Sequence, residues 1–263
     1  MTPGYFFTDQ DHASRIARPG RKTVLFLDFD GTMVPIQSDP SSCVLSAALK
    51  EKLRLLAVSG GCRLAIVSGR TLPDIRKRVA IRNVYYAGSH GLDISGPSVR
   101  YTHPCACSSR QALRKVKQEV SKEIEGVSGA RLEDKGFTLC LHFREVAKEE
   151  VRYVRRAFHG AVARHCGDGP FTVIKGKKVL ELTPDAAWDK GQAVLWILRH
   201  LGGDHLPIYV GDDRTDETAF KALRKKGLTI RIGTSRKTFA DFYLKGCWEV
   251  PRLLDLVAAS TAR

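Results

Sequence analysis

The feature that most restricts the possible folds is a set of short apolar runs that each stop at a polar residue. These are residues 24–27 before Asp28, residues 64–67 before Ser68, and residues 208–210 before Gly211 and Asp212. Apolar runs of this length are typical of strands that are buried on both faces of a parallel sheet. The chain is therefore expected to contain a sheet covered by helices on two sides.

Helical patterns alternate with these runs. Apolar residues recur at three- and four-residue spacing in 46–58, 190–201 and 215–226. Strands that alternate with helices predict a doubly wound, Rossmann-like α/β sheet. Because ligands of such sheets bind beyond the carboxyl ends of the strands, Asp28, Ser68 and Asp212 are predicted to share one site.

The middle of the chain follows another pattern. It reads as helix, hairpin, helix, hairpin, which indicates an α+β unit inserted into the parallel core. The predicted organisation is a first part of the core at 21–103, the inserted unit at 104–183, and a second part of the core at 184–263. The first 20 residues match no pattern and are expected to form a disordered arm.

Two carboxylates stand two residues apart immediately after the first strand. Asp28 is placed to attack a phosphorus atom, and Asp30 to transfer the proton of the leaving oxygen. Gly31 allows the sharp turn that follows. A solvated turn is the alternative for an isolated Asp-x-Asp, but the preceding buried strand favours catalysis.

An acidic segment, 211–217, follows another core strand. An anionic nucleophile needs a cation when it attacks a phosphate, and Mg²⁺ binds carboxylates together with substrate phosphate and water. Asp212 is the predicted metal ligand, with Asp213 and Asp216 in supporting roles. The alternative is an acidic cluster at a helix N-terminus, although four acids exceed what capping requires.

Two further segments supply groups for binding an anion. Ser68 opens a helix in the sequence Ser68-Gly69-Arg70, where a hydroxyl and backbone N–H groups can hold a phosphate. Lys190 begins another helix and can neutralise phosphoryl charge. An ordinary N-cap and a surface lysine are the alternatives, and only their positions at strand ends favour the functional interpretation.

These four motifs, in this order, resemble the haloacid dehalogenase superfamily of phosphohydrolases. The resemblance implies that Asp28 forms a phosphoaspartate and that Asp30 acts as general acid and base. It also implies that Ser68 and Lys190 hold the phosphoryl group, and that Mg²⁺ binds Asp28, the Asp30 carbonyl and Asp212.

Further matches narrow the resemblance to the trehalose-6-phosphate phosphatases. They comprise segments 68–70, 88–92, 133–137, 141–144, 179–182 and 211–217. The resemblance implies a Mg²⁺-dependent hydrolysis of trehalose 6-phosphate and a mobile cap formed by the inserted unit. It also implies a functional pairing with a trehalose-6-phosphate synthase. Its implied substrate-binding residues are Arg70, His90, Glu133, Lys135 and Glu181.

One departure leaves the sugar open. In the family a glutamate usually follows the loop that contains His90, whereas this chain has Asp93, so the side chain either orients the loop or alters the sugar preference. Sucrose 6-phosphate and a glucosylglycerol phosphate are the alternative substrates. His142 is interpreted as a packing histidine, whereas a solvated turn is the weaker alternative for Glu133 and Lys135.

Charge and cysteine content bear on partners and location. The chain has 43 Lys and Arg against 28 Asp and Glu, a net charge of +15, which alone suggests an acidic partner such as nucleic acid. The excess is spread over both predicted units, so a basic regulatory or nucleic-acid-binding protein is the minor alternative. Seven cysteines and no signal peptide or apolar span favour reduced thiols, a cytoplasmic location and no membrane partner.

Overall fold

The computed structural model describes residues 3–8, 11–16, 22–37, 40–176 and 178–261. The chain divides into two compact units. Unit 1 comprises Met1–Tyr101 and Trp188–Arg263, and unit 2 comprises Thr102–Ala187. The sequence analysis places the same insertion at 104–183.

The strands and helices of the two units are numbered together in chain order. The strands, in chain order, are β1 (Gly4–Tyr5), β2 (Lys22–Leu27), β3 (Cys62–Val67), β4 (Val84–Gly88), β5 (Asp93–Gly96), β6 (Val99–Thr102), β7 (Arg131–Asp134), β8 (Leu139–His142), β9 (Phe171–Gly176), β10 (Val179–Pro184), β11 (His205–Gly211), β12 (Leu228–Ile232) and β13 (Phe242–Leu244). The α-helices are α1 (Asp11–Ile16), α2 (Ala47–Val58), α3 (Leu72–Val79), α4 (Pro104–Glu123), α5 (Lys148–Cys166), α6 (Lys190–Leu201), α7 (Glu217–Leu223) and α8 (Val250–Thr261).

The sheet of unit 1 has, among the described residues, nine strands in the order β1-β13-β12-β11-β2-β3-β4-β5-β6. In this order, every neighbouring pair from β1 across the sheet to β4 is parallel, and β4 pairs with β5 in the antiparallel sense. Strand β2 shows why the run is apolar throughout. Leu25 and Leu27 belong to the core on one face, whereas Val24 and Phe26 belong to the core on the other. The predicted doubly wound α/β fold is confirmed.

The helices follow the predicted apolar spacing, with one difference. The predicted helix at 215–226 is replaced by a 3₁₀ turn, Arg214–Asp216, followed by the short helix α7. It ends early because Arg224 has an extended backbone, with φ −52° and ψ 131°, and Lys225 has a positive φ. Among the described helices, none has both the length and the apolar character needed to cross a bilayer.

The expectation of a disordered N-terminal arm is wrong for the described residues 3–8 and 14–16. Strand β1 adds a parallel edge to the sheet through Gly4 and Tyr5, which pair with Phe242 and Tyr243. Phe6 is fully buried, with its ring 5.8 Å from that of Phe242. Short apolar segments such as this one carry no periodic pattern, so their burial depends on a sheet edge that only the fold reveals.

Unit 2 is an α+β structure with its own core. Its four strands form an antiparallel sheet in the order β7-β8-β10-β9. Helices α4 and α5 contribute Val116, Val154 and Phe158 to a hydrophobic cluster that also contains Leu141 and Leu180 from the sheet. Alternate strand residues therefore face the helices, and the residues between them lie on the opposite face of the sheet.

The two leucines Leu53 and Leu55 on α2 test the assignment of its buried face. Leu53 is fully buried and Leu55 is 55% exposed. We predict that Leu53→Ala lowers the free energy of unfolding by about 2–5 kcal/mol, because it opens a cavity. Leu55→Ala is expected to change it by only about 0.5 kcal/mol. Urea unfolding followed by circular dichroism measures both, and equal losses would contradict the assignment.

Candidate active site

Three adjacent parallel strands end at the residues that the sequence singled out. Strand β2 lies between β11 and β3, so Asp28, Asp212 and Ser68 follow neighbouring strands at one edge of the sheet. The Asp28 N–H donates to the carbonyl of Val210 at 3.0 Å, and the Ser68 N–H donates to that of Ala87 at 2.9 Å. Sheet-like bonding thus continues past the strand ends and fixes both residues.

A buried lysine joins two aspartates at this edge. Lys190 is the first residue of α6, and its side chain is only 3% exposed. Its Nζ donates to Asp28 Oδ1 at 2.7 Å and to Asp216 Oδ1 at 2.8 Å. A buried ammonium group without such partners would carry a penalty of several kcal/mol. The two carboxylates therefore make the position of Lys190 possible.

The Asp216 carboxylate accepts hydrogen bonds from four donors. Besides Lys190, its Oδ1 accepts the Tyr209 hydroxyl at 2.7 Å. Its Oδ2 accepts the backbone N–H groups of Asp212 at 3.0 Å and Asp213 at 2.9 Å. Asp213 in turn accepts the Arg214 N–H and completes a capping box with Asp216. Asp216 therefore fixes both the lysine and the turn that carries Asp212.

Burial and charge shift the ionisation of these groups. Burial raises the pKa of the Asp28 carboxyl to about 8, although the Lys190 ammonium opposes this change. Burial also raises the pKa of Asp212 to about 6, and the charges of Asp216 and Asp213 add to the effect. Burial alone would lower the pKa of Lys190, but Asp28 and Asp216 outweigh it and raise that pKa. The carboxylates share one ammonium group, so a further cation here would stabilise their ionised forms.

The donor set fits a hard divalent cation. One carboxylate oxygen from each of Asp28, Asp212 and Asp216 lies within 4.8 Å of the others. Gly31, with φ +82°, leaves room for this set, because a Cβ there would lie 2.1 Å from Asp212 Oδ2. Four donors already engage Asp216, so Asp28 and Asp212 have more oxygen lone pairs available to a cation. All-oxygen coordination with few protein ligands is typical of Mg²⁺.

Arg70 contacts the second aspartate of the Asp-x-Asp motif. Its Nε and a terminal nitrogen donate to the two Asp30 carboxylate oxygens at 2.7 and 2.6 Å. Its other terminal nitrogen donates to Asp74 at 3.0 Å. The sequence analysis assigns Arg70 to the substrate, whereas the structure shows it bound to Asp30, a partner that lies 40 residues away in the chain.

The loops after β3 and β4 hold one another. The His90 N–H donates to the Ser68 carbonyl at 3.0 Å, and the Ser89 N–H donates to the Arg70 carbonyl at 2.7 Å. The His90 ring lies against Gly69, where a Cβ would come within 2.8 Å of it. His90 also has φ +56°, a strained conformation for a residue other than glycine. Such strain persists where the surrounding structure enforces it and is frequent at functional sites.

The loop that contains His90 has two further supports. The Trp188 indole N–H donates to the Gly91 carbonyl at 2.8 Å, and the Trp188 ring lies 5.5 Å from that of Tyr101. Asp93 is buried in β5, and Arg100 donates to it at 3.2 Å. This position supports the alternative in which Asp93 orients the loop.

The predicted sugar-binding residues of unit 2 share one face of its sheet. Glu133 and Glu181 are both paired in register with Cys140 on β8. Lys135 lies just beyond β7, with its Nζ 3.9 Å from Glu181 Oε1. His142 Nε2 lies 2.8 Å from Glu133 Oε2, so His142 is a polar partner of Glu133. The sequence interpretation of His142 as a packing residue missed this contact.

Comparison with known proteins places the chain in a family. A family model described as trehalose-phosphatase matches residues 26–246, which include all of unit 2 and most of unit 1. The chain belongs to the trehalose-phosphatase family. The resemblance stated from the sequence motifs is thereby confirmed.

Similar relatives agree with this family, and a solved structure shares the fold. The chain is 36% identical over 262 residues to a trehalose 6-phosphate phosphatase of Zea mays, covering 92% of this chain and 71% of that protein. It is 34% identical over 247 residues to a trehalose-phosphate phosphatase of Mycobacterium tuberculosis, covering 90% and 62%. The C-terminal domain of the trehalose-6-phosphate phosphatase of C. albicans shares the fold, with a TM-score of 0.74, 22% identity and 98% of each chain covered.

The Asp216 contacts yield a prediction for stability. Asp216→Asn leaves Lys190 with one carboxylate and points an amide group toward other donors, so the free energy of unfolding should fall by about 3–5 kcal/mol. Tyr209→Phe removes one hydrogen bond from the same carboxylate and should lower it by about 1 kcal/mol. Urea unfolding of both variants is the measurement, and similar losses would show that Asp216 does not hold the site together.

Proposed function

We propose that this trehalose-phosphatase family member hydrolyses trehalose 6-phosphate to trehalose and phosphate through an aspartyl-phosphate intermediate. The observation that carries the proposal is the contact between buried Asp28 and Lys190 at the carboxyl edge of the sheet. A carboxylate beside an ammonium group and a cation site is suited to attack a phosphate dianion. Family membership supports the substrate class, and the relatives named above support the sugar.

In the first step a carboxylate oxygen of Asp28 attacks the phosphorus atom. The bond from phosphorus to the sugar oxygen breaks, its electron pair goes to that oxygen, and Asp30 supplies the proton that makes the hydroxyl group. Asp28 is then esterified to phosphate. Lys190 stays beside the reacting oxygens and compensates the charge that develops on the phosphoryl group.

In the second step water attacks the phosphorus atom of the aspartyl-phosphate. Asp30, now ionised, takes a proton from that water, and the bond from phosphorus to Asp28 breaks. Phosphate leaves and the Asp28 carboxylate is restored. Ser68, buried at the end of β3, is proposed to donate its hydroxyl to a phosphoryl oxygen throughout.

Mg²⁺ is the proposed cofactor, with Asp28, the Asp30 carbonyl and Asp212 as its ligands. When bound, the ion would supply positive charge that reduces the repulsion between the Asp28 carboxylate and the phosphate dianion. Asp213 and Asp216 support it by fixing the turn that carries Asp212. The closeness of the carboxylate oxygens and the space left by Gly31 support this assignment.

The polar face of the unit 2 sheet is proposed to bind the sugar, and His90 is a further proposed substrate-binding residue. Glu133, Lys135 and Glu181 offer charged acceptors and donors, which suit the hydroxyl groups of an uncharged disaccharide. Residues 104–183 would then serve as a cap. A cytoplasmic location and a functional pairing with a trehalose-6-phosphate synthase remain predictions from the sequence.

The variant Asp28→Asn tests the nucleophile. We predict that phosphate release falls by at least about 10³-fold, because an amide oxygen does not attack phosphorus and the lysine loses a charged partner. Circular dichroism checks that the variant is folded. Substantial turnover by a folded Asp28→Asn enzyme would exclude the aspartyl-phosphate mechanism.

A panel of phosphate esters, assayed with Mg²⁺ and after chelation by EDTA, tests the cofactor and substrate together. Trehalose 6-phosphate should have the highest kcat/KM, because contacts with sugar hydroxyls discriminate strongly against substrates that leave them unpaired. Chelation should abolish turnover of every ester, and added Mg²⁺ should restore it.

Two outcomes would contradict these assignments separately. A higher kcat/KM for sucrose 6-phosphate or a glucosylglycerol phosphate would change the sugar but keep the chemistry. Full activity in the presence of EDTA would exclude a metal requirement. Duplex DNA binding that weakens steeply with salt, without turnover of any ester, would instead favour the nucleic-acid alternative.

A further inference from the structure

Alternating charges at Arg70, Asp74 and Arg78, the last two on α3, connect to Asp30. Asp74 lies one helical turn beyond Arg70 and one turn before Arg78. Its carboxylate accepts an Arg70 terminal nitrogen at 3.0 Å and the Arg78 Nε at 2.9 Å. The Arg70 Nε and its second terminal nitrogen donate to the two carboxylate oxygens of Asp30. One carboxylate on α3 therefore fixes the guanidinium group that clamps Asp30.

Arg78, at the other end of these contacts, connects to a segment that also contacts Asp30. Arg78 donates to the carbonyl oxygens of Cys43 at 2.8 Å and Ser41 at 3.1 Å. Cys43 is buried, and its thiol is hydrogen-bonded to Asp30; burial and this bond both raise the pKa of Cys43. The contacts thus form a closed ring from Asp30 through α3 to the segment at Cys43 and back.

The ring differs from ordinary charge pairs on a helix surface. Glu51 and Arg54 on α2 also form an ion pair, but their side chains are 52% and 65% exposed. The Arg70 side chain is 12% exposed and its guanidinium lies 5.4 Å from the centre of the Phe29 ring. Exposed pairs contribute about 0–1 kcal/mol, whereas a shielded, bidentate pair fixes geometry as well.

We propose that Asp74 is a positioning residue for the reaction: by holding Arg70, it fixes the place from which the Asp30 carboxyl group transfers its proton. The inference rests on the proposed role of Asp30 as general acid. Asp74 touches neither substrate nor reacting atoms, so its effect passes entirely through Arg70. A group that transfers a proton must stay within hydrogen-bond reach of its target, and a misplacement of about 1 Å can reduce the rate about 10²-fold.

The dependence of rate on the leaving group isolates this role. A sugar alkoxide is a strongly basic leaving group and needs the proton that Asp30 donates, whereas p-nitrophenolate leaves readily without it. The parameter kcat/KM reports on the steps up to the transfer of phosphate to Asp28, so the later attack of water does not enter the comparison. Damage to the general acid should therefore affect the sugar phosphate selectively.

The experiment measures kcat/KM of Asp74→Asn for trehalose 6-phosphate and for p-nitrophenyl phosphate. Asn keeps the size of the side chain but removes the charge that holds Arg70. We expect a fall of about 10- to 100-fold for the sugar phosphate and less than about 3-fold for the aryl ester. Equal falls for both substrates, or no fall for the sugar phosphate, would overturn the proposal.

Three further variants complete the design. Glu51→Gln on α2 removes an exposed ion pair that has no contact with Asp30 among those described, and it should change neither rate. Asp74→Glu keeps the charge and should recover part of the loss for the sugar phosphate. It also serves if Asp74→Asn unfolds, because an equal fall for both substrates in a folded Asp74→Glu would again overturn the proposal.

The variant Asp30→Asn separates this inference from the proposed function. If Asp30→Asn shows the selective fall and Asp74→Asn does not, only the positioning role fails. If Asp30→Asn itself affects both substrates equally, the assignment of Asp30 as general acid fails first. Circular dichroism and the urea midpoint of each variant establish that the rates refer to folded protein.

Discussion

The arrangement at the sheet edge depends on the ion pairs of the buried Lys190 ammonium group. It holds Asp28 from β2 and Asp216 from the turn after β11, two elements that the chain separates by more than 180 residues. If either the lysine or the two acids were removed, a buried charge would remain without a partner and would destabilise the fold. Their mutual dependence explains why Asp28, the proposed nucleophile, has one defined position at the sheet edge.

A second constraint acts through backbone groups. Asp216 accepts two N–H groups from the acidic turn, and the loops after β3 and β4 exchange hydrogen bonds around Ser68 and His90. Polar loops at the end of a sheet would otherwise expose unpaired backbone groups. The same bonds that satisfy the backbone therefore also place the side chains proposed to bind phosphate and metal.

The apolar runs and the polar residues that end them were enough to predict the sheet, because both depend on neighbours in the chain. The contacts of Asp216 and Arg70 were not predictable in this way. The family resemblance implies that Arg70 binds substrate, but its contact with Asp30 depends on how the turn after β2 is placed by the fold. The burial of Phe6 depends on an edge strand of two residues, which leaves no recognisable pattern in the sequence.

The aromatic contact between Tyr101 and Trp188 has a consequence for the folding of unit 1. These residues end and restart unit 1, and their rings are 5.5 Å apart. A segment inserted between Tyr101 and Trp188 forms a loop whose ends are already in contact. The entropic cost of closing such a loop grows only with the logarithm of its length. Insertions of different size at this point should therefore change the free energy of folding of unit 1 only slightly.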